Sequence, residues 1–328
     1  MRFLCNKLEL DTAEKVEEWA KAPRDIIGVD IETVSLDNRL PLGIGVALSD
    51  TEGLYFFDTY DSLLHDIVVS AGIVVAFNAS FDIPALEKLG HPVKHFEDSM
   101  LKAYANGILY KNLEDISNFV LSLPYTSVRS QWKKSDQGNI NIDHVKMGGW
   151  CLQHALNALV LWNRTPLVPL YQNIDRPCID LVIEMQRNGL LINQYTLTQV
   201  EQEVGDQARK LEYEVKEELG FPEINLASNP QVAAALQLKG IIGTRKTGKG
   251  ADSVSDDSLK PLHNPLADKI LKHRSLMKTL TTYVPAFRDV DHQGKIHTDY
   301  GYTDTGRWNS SNPNLQNLTR DEKFEEEA

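Results

Sequence analysis

The chain has 328 residues, 42% of them hydrophobic and 24% charged, a balance that excludes disorder, collagen and small disulfide scaffolds and suits about two domains. Thirty-four Lys and Arg against 46 Asp and Glu give a net charge of −12, which excludes a uniformly basic nucleic-acid module but not a local basic patch. Cys5, Cys151 and Cys178 are scattered with no CxxC pair, which argues against a disulfide framework or a zinc site and for a reducing cytoplasm.

The segment Ile26-Ile-Gly-Val-Asp30 is a short apolar run ending in an acid, the pattern of a buried strand that delivers a carboxylate at its end. Strands are also expected at 43–49, 54–57 and 73–77, the first two separated by the turn residues 50–53. The run at 73–77 is far too short to span a membrane, and Met1-Arg-Phe-Leu4 lacks the apolar core of a signal peptide. A helix follows from about 82 to 89, and helices dominate from about 99 to 162. The first half is therefore expected to be α/β, with a hairpin-like start.

Beyond Asn163, Pro166, Pro169 and Pro177 punctuate a connection. Leu197, Val200, Val204, Ala208, Leu211, Val215 and Leu219 then recur at steps of three or four, one apolar stripe on a helix roughly 35 Å long. A second helix is capped at Asn229-Pro230 and stopped by Gly240, and a third runs from about 265 to 285. Between them, Arg245, Lys246 and Lys249 share a stretch without acids, charge suited to phosphates. There is no internal repeat, and the acidic tail 321–328 is expected to fray.

Asp30 and Glu32 flank Ile31, so on a strand both carboxylates share one face. Hard oxygen ligands of this kind suit Mg2+ or Mn2+. Asp82 enters from a helix after another buried strand. Acids from separate elements can share two metal ions about 3.5–4 Å apart, an arrangement used for phosphoester hydrolysis.

These residues resemble a family. Val29-Asp-Ile-Glu-Thr33 is similar to the first motif of DEDD-type 3′–5′ exonucleases, and Asn78-Ala-Ser-Phe-Asp82 to the second. Glu97-Asp-Ser-Met-Leu-Lys-Ala-Tyr104 and Leu113-Glu-Asp-Ile116 resemble the connecting segments. The resemblance implies an α/β ribonuclease H-like fold with a mixed sheet, and Mg2+ or Mn2+ at Asp30, Glu32 and Asp82. At the third motif the chain departs: Trp150 stands where the family has Tyr, and His154 where it has a metal-binding Asp. His154 is then either an ordinary helix histidine in a decayed site or a working ligand.

In the second half, Arg187-Asn-Gly-Leu-Leu-Ile-Asn193, Asn225-Leu-Ala-Ser-Asn-Pro230, His273-Arg-Ser-Leu-Met-Lys278-Thr-Leu-Thr-Thr-Tyr283 and Ile296-His-Thr-Asp-Tyr300 follow in order. With Thr305-Gly-Arg-Trp-Asn-Ser-Ser-Asn-Pro-Asn-Leu-Gln-Asn-Leu318 they resemble family A DNA polymerases. That resemblance implies an exonuclease domain at 1–165, an α-helical thumb and connection at 166–292, and the first part of a palm at 293–328. The catalytic palm motif and the fingers are expected to lie in a second polypeptide. Arg274 and Lys278 then correspond to thumb contacts with the duplex backbone, and Arg307 to the arginine that reads the primer's minor groove. Asn314, Gln316 and Asn317 are expected to hydrogen-bond template, primer or palm. The expected protein is the amino-terminal part of a split polymerase with a weakened exonuclease, phage-encoded and acting on primer-template DNA in a bacterial cytoplasm. Its rivals are a stand-alone 3′–5′ exonuclease and a non-catalytic DNA-binding or assembly subunit. The stretch 243–250 only approaches a phosphate-binding loop, because Gly250 stands where Ser or Thr would hold magnesium.

Overall fold

Strand alternation along Ile26–Thr33 organises the first half: Ile27, Val29 and Ile31 face one side of a sheet, and Gly28, Asp30 and Glu32 the other, with only Ile26 and Asp30 short of full burial. The computed structural model describes residues 3–6, 12–33, 41–110, 112–123, 143–248 and 250–318. Its contacts group Met1–Arg187 with Tyr300–Trp308 as one unit, and Asn188–Asp299 with Asn309–Ala328 as another.

The first unit contains β1 (Phe3–Cys5), α1 (Ala13–Ala20), β2 (Ile26–Thr33), β3 (Pro41–Ala47), β4 (Gly53–Phe56), α2 (Ser62–Ser70), β5 (Ile73–Ala76) and α3 (Ala79–Lys88). It continues with β6 (Phe96–Asp98), α4 (Ser99–Ala105), α5 (Leu113–Asp115), α6 (His144–Arg164) and α7 (Arg176–Asn188). Six strands form one mixed sheet in the order β1-β4-β3-β2-β5-β6, antiparallel from β1 to β2 and parallel from β2 to β6. The α/β class and mixed sheet read from the sequence are thus formed.

Two elements differ from expectation, and both differences bear on the site. β2 runs on to Thr33, so Asp30 and Glu32 lie inside a paired strand, opposite Gly45 and Gly43 of β3. α3 starts at Ala79 because the Asp98 carboxylate accepts the Ala79 N–H at 2.8 Å, which puts Asp82 in the first turn. The same carboxylate accepts the Leu101 N–H at 2.8 Å, so one buried acid caps both α3 and α4.

α6 crosses the sheet over β2, β3 and β4. Glycine lets it lie close. A Cβ on Gly28 would sit 2.4 Å from the Ala155 carbonyl oxygen, and one on Gly45 2.7 Å from that of Cys151. Lys102, buried beneath Trp162, donates to the Trp162 carbonyl at 2.9 Å and so ties α4 to the last turn of α6. The family resemblance implies an exonuclease domain ending at 165. Contacts carry the first unit on to Arg187, because Tyr171, Ile179 and Ile183 are buried in its core.

The second unit begins with β7 (Leu190–Leu191) and α8 (Gln194–Leu219), followed by α9 (Asn229–Leu238), α10 (Asp256–Leu259), α11 (Pro265–Lys278), α12 (Val284–Arg288) and β8 (Lys295–Ile296). β9 (Asp299–Tyr302) and β10 (Trp308–Ser311) lie at the two ends of Tyr300–Trp308, which groups with the first unit. α8 has 26 residues, about 39 Å at the usual rise. It begins earlier than its apolar stripe because Asn193 Oδ1 accepts the N–H groups of Tyr195 and Thr196, and it ends at Gly220 with φ 79°. Val215 and Leu219 pack with Leu266, Ala267 and Ile270 of α11 in a separate core. No helix among the described residues is long and apolar enough to cross a membrane.

Candidate functional site

The β2 face that carries Gly28 also presents Asp30 and Glu32, and α6 lies over that face. The helix thereby brings Cys151 and His154 above the acids: the Cys151 thiol donates to the Asp30 carbonyl at 3.3 Å. His154 Nδ1 lies 3.5 Å from Asp30 Oδ1 and 4.0 Å from Glu32 Oε1. Trp150, one turn earlier, packs its ring against the imidazole with centroids 4.2 Å apart. Asp82 comes from the far side, where its Oδ1 accepts the Ile31 N–H at 3.2 Å. All five expected residues line one open cleft of about 330 Å³, together with Asn78, Asn112 and Glu114. Glu114 went unassigned in the sequence, although Leu113-Glu-Asp-Ile116 stood out there as a connecting segment.

Charge is crowded here. Burial, and then the neighbouring Asp30 charge, pushes the Asp82 carboxyl well above its ordinary value, against the pull of the Ile31 N–H. Burial and Asp30 likewise push the Cys151 thiol up. Asp30 Oδ2 is buried with no hydrogen-bond partner, a costly state for a carboxylate oxygen unless a cation meets it. Ligand atoms of Asp30, Glu32 and His154 all lie within 4.8 Å of one another. This donor set fits one divalent cation. It does not match a pair of hard ions held by acids alone, because an imidazole occupies the place of a carboxylate.

The expected DNA contacts fall differently. Arg245 pairs with Asp257 at 3.1 Å and Lys246 with Asp252, so acids from the following segment compensate the basic stretch; Lys249 lies outside the described residues. Arg274 and Lys278 share α11 and line a cleft of about 500 Å³ with His273, Asn225 and Asn229. The Arg274 guanidinium is largely committed to the fold, donating to the carbonyls of Leu226 at 3.2 Å and Val254 at 2.7 Å, while its buried Nη2 has no partner. His273 is also buried, with neither ring nitrogen bonded. Lys278 Nζ lies 5.6 Å from the Tyr283 ring centroid. Arg307 is exposed, its Nε–H donating to Thr305 Oγ1 at 3.2 Å. Asn314 Oδ1 accepts the N–H groups of Gln316 and Asn317, each at 3.0 Å, and Gln316 Oε1 accepts the Ser310 N–H at 3.2 Å. These two amides therefore shape their own turn. The Asn317 carbonyl accepts from the Tyr283 hydroxyl at 2.6 Å.

Comparison with known proteins follows the same division. Residues 9–146 match the family described as 3′–5′ exonuclease, and residues 194–327 match DNA polymerase family A. The first match takes in Asp30, Glu32 and Asp82 and stops before Trp150 and His154. The thermostable DNA polymerase I of Thermus aquaticus is 34% identical over 171 residues, 48% of this chain and 20% of that protein. DNA polymerase I of Pseudomonas aeruginosa is 25% identical over 92% of this chain and 38% of its own length. The chain thus spans about a fifth to two fifths of these relatives. Among solved structures, the POL domain of Pol1 from M. smegmatis, in complex with DNA primer-template and dNTP, is similar in fold with a TM-score of 0.64 and 21% identity. That likeness covers 95% of this chain and 55% of the other.

Proposed function

We propose, for a chain that belongs to the family A DNA polymerases and carries a 3′–5′ exonuclease domain with part of the polymerase domain, that its 328 residues grip primer-template DNA for a polymerase completed by a second polypeptide. The observation that carries this reading is the segment Thr305–Leu318, in which the exposed Arg307 belongs to a turn closed by Thr303 and Thr305, and Asn314 builds a second turn of its own. An isolated nuclease has no use for such a primer-reading element. The partner would supply the remaining palm and the fingers. The place of action would be the cytoplasm of a bacterial cell, on phage or host DNA.

In this reading the exonuclease cleft binds a single-stranded 3′ end but cleaves it poorly. Trp150 cannot give the attacking water or the scissile phosphate a phenolic hydrogen bond, and His154 removes one negative charge from the metal ligands. His154 also gives the non-catalytic scaffold reading its support. Both readings share DNA binding.

The test is fluorescence anisotropy of a labelled primer-template with the full chain, across a salt series and with chelator present. Saturable binding is expected. Lys278→Ala should weaken it and reduce the salt slope by about one phosphate contact. Arg274→Ala should mainly lower the melting temperature, since it orphans two carbonyls. Binding unaffected by Lys278→Ala would remove the thumb from the interface.

A further inference from the structure

The exonuclease fold brings with it the expectation of two hard ions, and the residues present do not match it. The geometry points instead to one borderline divalent ion of the zinc class, held by Asp30, Glu32 and His154. This refines the nuclease half of the proposed function and leaves DNA binding untouched.

The spacing carries the argument. Two ligands about 2.0–2.1 Å from a tetrahedral zinc lie roughly 3.4 Å apart, whereas neighbouring ligands of octahedral magnesium lie about 2.9 Å apart. His154 Nδ1 to Asp30 Oδ1 is 3.5 Å, and to Glu32 Oε1 4.0 Å. A charge-assisted hydrogen bond between imidazolium and carboxylate would draw these atoms to about 2.7–2.9 Å. The His154–Asp30 spacing is that of two ligands on one ion, and the His154–Glu32 spacing is wider than that of neighbouring ligands.

The donors agree. Imidazole nitrogen suits zinc, whereas magnesium prefers oxygen and dehydrates reluctantly. The unpartnered buried Asp30 Oδ2 gives that carboxylate an alternative single ligand oxygen. Asp82 stands apart: its Oδ1 accepts the Ile31 N–H, and it is not among the three residues whose ligand atoms converge. No cysteine takes part in this site, so the scattered cysteines do not count against zinc here.

The support behind the ligands is built in. Cys151 anchors α6 to the Asp30 carbonyl, and Trp150 packs against the imidazole face, so the His154 ring is oriented before any ion arrives. Three protein ligands leave a tetrahedral ion one open position in the cleft, as in zinc sites that bind water or an anionic oxygen.

The experiment uses the full chain stripped with chelator and titrated with Co2+, read by its visible ligand-field bands, with calorimetric titrations of Zn2+, Mn2+ and Mg2+. One equivalent of Co2+ is expected, displaced by one of Zn2+, with affinity falling from Zn2+ to Mn2+ to Mg2+. His154→Ala should weaken zinc by at least about 100-fold, since losing a direct ligand costs no less than losing an outer-shell one. His154→Asp, which keeps a ligand and guards against a folding failure, should erase the cobalt bands while strengthening Mg2+. Two equivalents of Mg2+ bound as tightly as Zn2+, or cobalt bands unchanged in both variants, would overturn the assignment. Primer-template binding with chelator present reports separately on the proposed function.

Discussion

At the scale of single residues, the cleft was half legible in the sequence. Asp30 and Glu32 could be placed on one face because strand geometry alternates, and Asp82 because it follows a buried strand. Glu114 could not be placed, since nothing in a three-residue helix says that its side chain shares a cleft with residues as distant in sequence as Asp30 and Glu32. The compensation of Arg245 and Lys246 was equally hidden, because their partners come from a return of the chain that local composition does not reveal. The altered third motif gives a direct test. The chain should digest single-stranded DNA very weakly in Mg2+, with any residual activity greater in Mn2+. Trp150→Tyr with His154→Asp together should raise the Mg2+ rate by on the order of 10² or more, as restoring a positioned group and a ligand can. Brisk Mg2+-dependent digestion by the unaltered chain, abolished by Asp30→Ala, would show that the site is fully working as it stands.

At the scale of elements, periodicity located the strands and the long α8, while boundaries were set by side chains that periodicity ignores. Asn193, a local cap, lengthened α8, whereas Asp98 advanced α3 from 19 residues away, a cap visible only in the fold. Close packing of α6 rests on two glycines. Gly45→Ala should push the helix off the sheet, costing about 1–3 kcal/mol by overpacking. It should also shift the Trp150 fluorescence, because that ring sits one helical residue from the displaced Cys151. An unchanged urea midpoint would mean that the helix yields at no cost. The Asp98 cap makes a pH-dependent contribution. Burial pushes its carboxyl up from 3.8 to about 7 despite its backbone donors. The folded state therefore holds this proton more tightly than the unfolded chain. The contribution is full below the unfolded pKa, falls as pH rises to about 7 and is level beyond. Asp98→Asn should be less stable at every pH, since one amide oxygen cannot replace two acceptors. The gap between the two proteins should be widest at acid pH and narrow toward neutrality. A gap that widens as pH rises would reverse the sign of the shift.

At the scale of the whole molecule, the net charge of −12 and the proposed DNA binding pull in opposite directions, and the proposal rests on local arrangement. Duplex affinity would rest on a few cations such as Lys278 and Arg307, with Arg245 and Lys246 already paired to acids and Arg274 bound to carbonyls. In the proposed function the polymerising centre forms between two polypeptides. The chain by itself should then bind primer-template and incorporate no nucleotide in Mg2+. Adding a polypeptide that carries the remaining palm and the fingers should restore incorporation, measured as primer extension on a denaturing gel. In the restored enzyme, Arg307→Ala should lower the extension rate far more than the affinity for duplex, because its proposed contact is confined to the primer end. Lys278→Ala should do the opposite. Extension by the 328-residue chain alone would place the whole catalytic centre within it and end the two-polypeptide proposal.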